Sequence, residues 1–126
     1  MRVLVVGLGG FVGTVLRYLA IGLVQEATGS ISFPYGTLVV NIAGCLLVGF
    51  LSYLVEARSL LPEWARTAAF IGILGGFTTF STFANETVLL IRDGQGLLAA
   101  ANVLGQVVLA LGAAWLGRFV GYQLWR

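Results

Sequence analysis

The chain has 126 residues, of which 59% are apolar and only 10% charged, with a mean hydropathy of +0.99 and a formal net charge of +2. That balance excludes an ordinary soluble domain and points to an integral membrane protein. With no histidine, one cysteine and five acids, the chain lacks the material for a histidine-based triad, a transition-metal centre or a disulfide framework, so no enzyme activity is expected.

Four apolar stretches are long enough to cross a bilayer, which takes roughly 20 helical residues: 3–24, 36–55, 66–91 and 97–117. They fill the chain, and the predicted fold is a single all-α transmembrane domain of four helices over residues 1–126. The first stretch opens on MRVLVVGLGGFVG, which imitates a strand running into a dinucleotide-binding turn at Gly7, Gly9, Gly10 and Gly13. That fingerprint demands a second strand ending in an acid about 20 residues further on, whereas here SISFPYG leads into another apolar run. Close packing is the better reading. Small residues four apart, at Gly9 and Gly13, Gly72 and Gly76, and Gly117 and Gly121, let spanning helices approach one another. Only Arg2 precedes the apolar run and no small-residue cleavage pattern follows, so the first span is expected to stay in place.

Arg17 lies two-thirds of the way along that first span, where it either snorkels to an interface or serves a function. The second span, TLVVNIAGCLLVGFL, is uncharged and carries Asn41 near mid-depth, an amide with two donor hydrogens that favours a functional role. Cys45 reads as a small packing residue. The third span contains GILGGFTTFSTFANE. The Gly75-Gly76 pair followed by Thr78 and Thr79 makes its middle the least helical part of the chain, and a break is expected there. Unwound backbone survives in a membrane only inside protein or beside a polar cavity. Its free carbonyls suit cations, and the positive end of the following half-helix suits anions. Past the break, Phe80 and Phe83 fall on one side, while Thr79, Thr82 and Glu86 fall on another. In the fourth span Asn102 and Gln106 sit one turn apart, where interhelical hydrogen bonding is favoured over pore lining.

Tyr18, Tyr35, Tyr53, Trp64, Trp115, Tyr122 and Trp125 fall towards span ends, at headgroup level. A charged group facing lipid costs at least ~2.5 kcal/mol on insertion scales, so Arg17 and Glu86 should face protein, water or each other. Four helices leave little interior for them, which predicts an oligomer, most simply a dimer. Arg2, Arg58, Arg66, Arg118 and Arg126 map to the side of the N-terminus, against Arg92 on the other and Arg17 nearer that other side, and this bias predicts a cytoplasmic N-terminus.

At GGFTTFSTFANE the chain resembles the small fluoride channels of the Fluc family, also called CrcB, whose signature there is GG, two residues, TFSTF and an acid. The resemblance extends to GTLVVN at 36–41 and to the GxxGxxLRY pattern at 10–18. It implies an antiparallel dual-topology dimer in the plasma (cell inner) membrane, exporting fluoride from the cytoplasm by passive electrodiffusion. It also implies a structural sodium ion at the dimer interface, held by the backbone carbonyls of Gly75 and Thr78 in the broken third helix. By the same resemblance Phe80 and Phe83 flank the fluoride positions, Asn41 is the pore-lining amide, and Ser81 and Thr82 form a hydroxyl track, with Arg17 and Glu86 supporting. Two features depart from the family pattern. Ala110 and Ala114 stand where small hydroxyl residues are common, which shortens the polar track, and the arginine bias is stronger than dual insertion normally accompanies. The second subunit is therefore expected to be either an identical chain or a paired homologue. The implied partners are fluoride, the lipid bilayer and that subunit, with no nucleic acid.

Two other function classes compete. A proton-coupled small-molecule exporter of four-span dimeric type keeps its working acid in the first span, where this chain has Arg17 and no acid. A non-transporting assembly subunit explains polar glue between helices but not the composition of the third span.

Overall fold

A computed structural model describes residues 2–58 and 61–125, all helix and short connections. Helix α1 covers Arg2–Thr28 and α2 covers Tyr35–Arg58. The next span begins as α3 (Glu63–Arg66), widens into a π-helical segment (Thr67–Leu74), and tightens again as the single turn α4 (Gly75–Phe77). Thr78 and Thr79 are extended, with φ/ψ of −85°/157° and −151°/114°. Helix α5 (Phe80–Arg92) follows, and α6 (Gly96–Trp125) ends the bundle. Among the described residues, four helical segments are long and apolar enough to cross a membrane: Arg2–Thr28, Tyr35–Ala57, Glu63–Arg92 and Gly96–Trp125. The protein is thus a multi-pass membrane protein.

Each helix runs past the apolar stretch that announces it, because polar and aromatic residues at headgroup level continue the turn. The glycine run at the N-terminus is helical throughout, not a strand and turn. Helix α1 ends at Gly29, whose positive φ of 61° supplies the left-handed residue that closes a helix without Cβ strain. In the loop behind it, Gln25 donates to the carbonyls of Ser30 and Phe33 and accepts from the Gly36 N–H, tying α1 to the start of α2.

Close backbone approach holds the bundle together. Helix α1 packs along the π-helical segment and α4, and α2 packs along α6. A Cβ on Gly9 would stand 3.1 Å from the Gly72 Cα, and one on Gly76 would stand 2.7 Å from the Gly10 carbonyl oxygen. The small-residue stripes of α1 and the third span therefore face each other. Gly117 meets the backbone of Leu46, while Gly49 meets that of Ala114, so α2 and α6 interlock in the same way. Such contacts replace the hydrophobic drive that helices lose once lipid surrounds them.

The charged ends agree with the arginine pattern. Arg2 pairs with Glu63 at 2.7 Å and Arg118 with Glu56 at 2.5 Å, both on the side of the N-terminus. Arg126 and the Arg58 side chain lie outside the described residues.

Candidate functional site

Polar chemistry inside the bundle gathers where α2, α5 and α6 meet the extended pair Thr78–Thr79. Helix α2 comes close because Gly44 has no side chain: a Cβ there would collide with the Thr78 methyl. One turn earlier, Asn41 is buried and its amide pairs with the Thr79 backbone on both sides. Asn41 Oδ1 accepts from the Thr79 N–H at 2.8 Å, and Asn41 Nδ2 donates to the Thr79 carbonyl at 3.0 Å. The second Nδ2 hydrogen goes to Gln106 Oε1 on α6, also at 3.0 Å. Both donors of Asn41 are thereby committed.

The extended pair redirects several backbone groups. In an unbroken helix the Thr79 N–H would reach the Gly75 carbonyl and the Thr82 N–H the Thr78 carbonyl. Here the first goes to Asn41, and the second goes to Thr79 Oγ1 at 3.2 Å, making Thr79 the N-cap of α5. The Thr78 carbonyl accepts instead from Arg17 Nη1 at 3.1 Å. Arg17 therefore turns inward to the backbone of the third span and does not snorkel. Gly75 is exposed on the surface of the subunit.

Beyond the pair, Thr79 Oγ1 donates to Thr82 Oγ1 at 2.9 Å and lies 3.4 Å from Ser81 Oγ, a short run of hydroxyls. The Phe80 and Phe83 rings meet edge to face, their centroids 5.3 Å apart. Their settings differ: Phe83 is 9% exposed and Phe80 78%. Ser81 is exposed as well, so it and Phe80 lie on the outside of the single subunit. Glu86 does not continue the hydroxyl run. Its Oε1 accepts from Thr37 Oγ1 of α2 at 2.7 Å, and it lines a cavity of about 440 Å³ shared with Gln25, Ser32, Asp93 and Gln95.

Asn102 and Gln106 take separate partners, although they share a helix face. Asn102 Nδ2 donates to Thr87 Oγ1 at 3.0 Å, while Gln106 joins Asn41. Both are interhelical bonds, and both residues still hold a buried atom in reserve. Among the described residues, the buried atoms Asn102 Oδ1, Gln106 Nε2, Glu86 Oε2 and Gln95 Oε1 have no hydrogen-bond partner. Asn102 is 0% exposed and Gln106 6%, so these are polar groups placed where pairing is otherwise the rule.

The family model described as "CrcB-like protein, Camphor Resistance (CrcB)" matches residues 4–118. The chain belongs to the CrcB family. Among its CrcB relatives, the "Fluoride-specific ion channel FluC" of Elusimicrobium minutum is 45% identical over 119 residues, covering 94% of this chain and 89% of that protein. The protein of the same name from Opitutus terrae is 44% identical, covering 96% and 92% of the two chains. That from Shewanella amazonensis is 42% identical and covers 97% of both. These relatives are named ion channels, not enzymes.

The match spans every site element of this CrcB chain, from Arg17 in α1 to Gln106 in α6. Sequence reasoning missed the pairing of Asn41 with the Thr79 backbone, and the pairing of Thr37 with Glu86. Thr37 carried a signal, being a hydroxyl four residues before Asn41 on the same helix face.

Proposed function

We propose that this chain is a fluoride channel of the plasma membrane, letting fluoride leave the cytoplasm passively down its electrochemical gradient. Identity of 42–45% along nearly the whole chain to proteins named fluoride-specific ion channels carries the reading. The polar cluster at mid-depth supports it physically.

Fluoride is small and strongly hydrated, so a pore must exchange its water for hydrogen-bond donors that hold it loosely and in series. The side chains for this are the Gln106 amide, with its unpaired Nε2, and the hydroxyls of Ser81 and Thr82. The rings of Phe80 and Phe83 add their positive edges, weaker than an amide but apolar enough to shed water. Asn41 contributes by fixing the extended pair, which sets the phase of every residue in α5. Glu86 lines the cavity, held by Thr37.

In this reading the third span is functionally broken at Thr78–Thr79, and two subunits pack there in opposite orientations. Exposure of Phe80, Ser81 and Gly75 on one subunit supports a partner that covers them. The partner is an identical chain or a paired homologue, and crosslinking the purified product of this gene alone separates the two. The Gly75 and Thr78 carbonyls are suitable donors for a structural sodium ion, being hard oxygens whose helical N–H partners have been diverted. When bound, sodium would neutralise these carbonyl ends and brace the interface.

Liposomes containing the protein and loaded with fluoride test the transport reading. Fluoride should leave at the same rate whether or not a proton gradient is imposed. Strict dependence on protons would replace the channel by a proton-coupled exporter.

A further inference from the structure

We infer that Arg17 is a positioning residue that serves the Thr78 carbonyl as a built-in cation, and so stands against sodium at that oxygen. The inference rests on the cation centre proposed above and extends it to a residue of α1. Among the described residues, the ion pairs are Arg2 with Glu63 and Arg118 with Glu56, both near one end of the bundle. Arg17 belongs to neither pair. Its guanidinium is partly buried and donates from Nη1 to the Thr78 carbonyl at 3.1 Å.

The contact takes over a specific vacancy in the backbone bonding. The Thr78 carbonyl has lost its helical donor because the Thr82 N–H caps on Thr79 Oγ1. Its neighbour Thr79 is clamped on both sides by Asn41, and the Thr78 methyl fills the space above Gly44. The carbonyl cannot rotate back into the helix without breaking the Asn41 clamp, so a cationic donor from outside the third span is a strong partner for it. Arg17 supplies one from α1.

A sodium ion on the same oxygen would lie beside that guanidinium, and like charges this close repel in a medium of low polarity. Arg17 therefore does part of the work of sodium and weakens its hold. Replacing Arg17 with a neutral residue should leave the carbonyl wanting a cation, and sodium should then stabilise the protein more than before.

The experiment is thermal unfolding of the full chain in detergent, with sodium exchanged for N-methylglucamine at constant ionic strength. The unaltered chain is compared with Arg17→Gln and Arg17→Met, the second chosen for its tolerance of an apolar setting. Both variants should melt lower without sodium and approach the unaltered midpoint as sodium saturates, a sodium-induced shift about twofold larger or more. Curves displaced in parallel at every sodium concentration would mean that Arg17 is merely structural, and would overturn the inference. So would variants that fail to fold even in saturating sodium. Absence of a sodium response in all three proteins would remove the cation centre itself, and the inference with it, while leaving fluoride transport to be judged separately.

Discussion

Replacing Asn41 with leucine removes three hydrogen bonds at a stroke while nearly preserving volume. The Thr79 N–H and carbonyl lose their partners at 2.8 and 3.0 Å, and Gln106 Oε1 loses its own at 3.0 Å. Thr79 is only 7% exposed, so water cannot replace the amide without opening the bundle. Stranding each of two buried backbone groups costs about 1–3 kcal/mol. The bond to Gln106 adds about 0.6 kcal/mol, the average for side-chain hydrogen bonds between membrane helices. The expected loss is therefore about 3–7 kcal/mol, most of it from the backbone pair. Equilibrium unfolding in detergent, followed by tryptophan fluorescence, measures it, since Trp64, Trp115 and Trp125 lie on two different elements. In the double variant with Gln106→Leu the losses should sum to less than the separate effects, because both single changes break the same Asn41–Gln106 bond. A loss below about 0.5 kcal/mol for Asn41→Leu would refute the clamp, placing it among ordinary surface changes.

Gly13→Ala would drive a methyl into the Ile73 carbonyl, so it should cost about 1–3 kcal/mol by overpacking, whereas Gly10→Ala, with nothing within 4 Å of the new methyl, should be neutral or stabilise by up to about 1 kcal/mol through helix propensity; the same unfolding assay compares them. Thr79→Val removes the cap of α5 along with the hydroxyl run and should cost about 1 kcal/mol, with serine restoring most of it. Phe80→Ile and Phe83→Ile should both reduce fluoride flux with the assembly intact by size-exclusion chromatography, and Phe83→Ile, whose ring is buried within the subunit, should also lower the unfolding midpoint. Unchanged flux in both would return the rings to a packing role.

Much of the fold was legible because lipid imposes simple rules. Run length marked four spans, and spacing marked the glycines that bring α1 against the third span and α2 against α6. What periodicity does not carry is partnership between distant residues. Asn41 stood out as an amide at depth, yet nothing in its neighbours revealed that it would pair with a backbone 38 residues away. Arg17 allowed two readings because its stem is long enough to reach either an interface or the bundle interior. Only the approach of α1 to the third span, where glycines remove the side chains between them, directs it to Thr78. Asn102 and Gln106 shared a face in sequence and diverge in structure, since α5 supplies Thr87 to one and α2 supplies Asn41 to the other. The widening at Thr67–Leu74 has no signature in hydrophobic pattern, which is continuous through it.

Ion flux through the purified protein in planar bilayers or liposomes, under a fluoride gradient and with voltage controlled, tests the central claim most directly. The account predicts a fluoride current that reverses near the fluoride equilibrium potential, with chloride passing far more slowly. Well-folded protein that carries no fluoride current, or that passes chloride equally well, would contradict it.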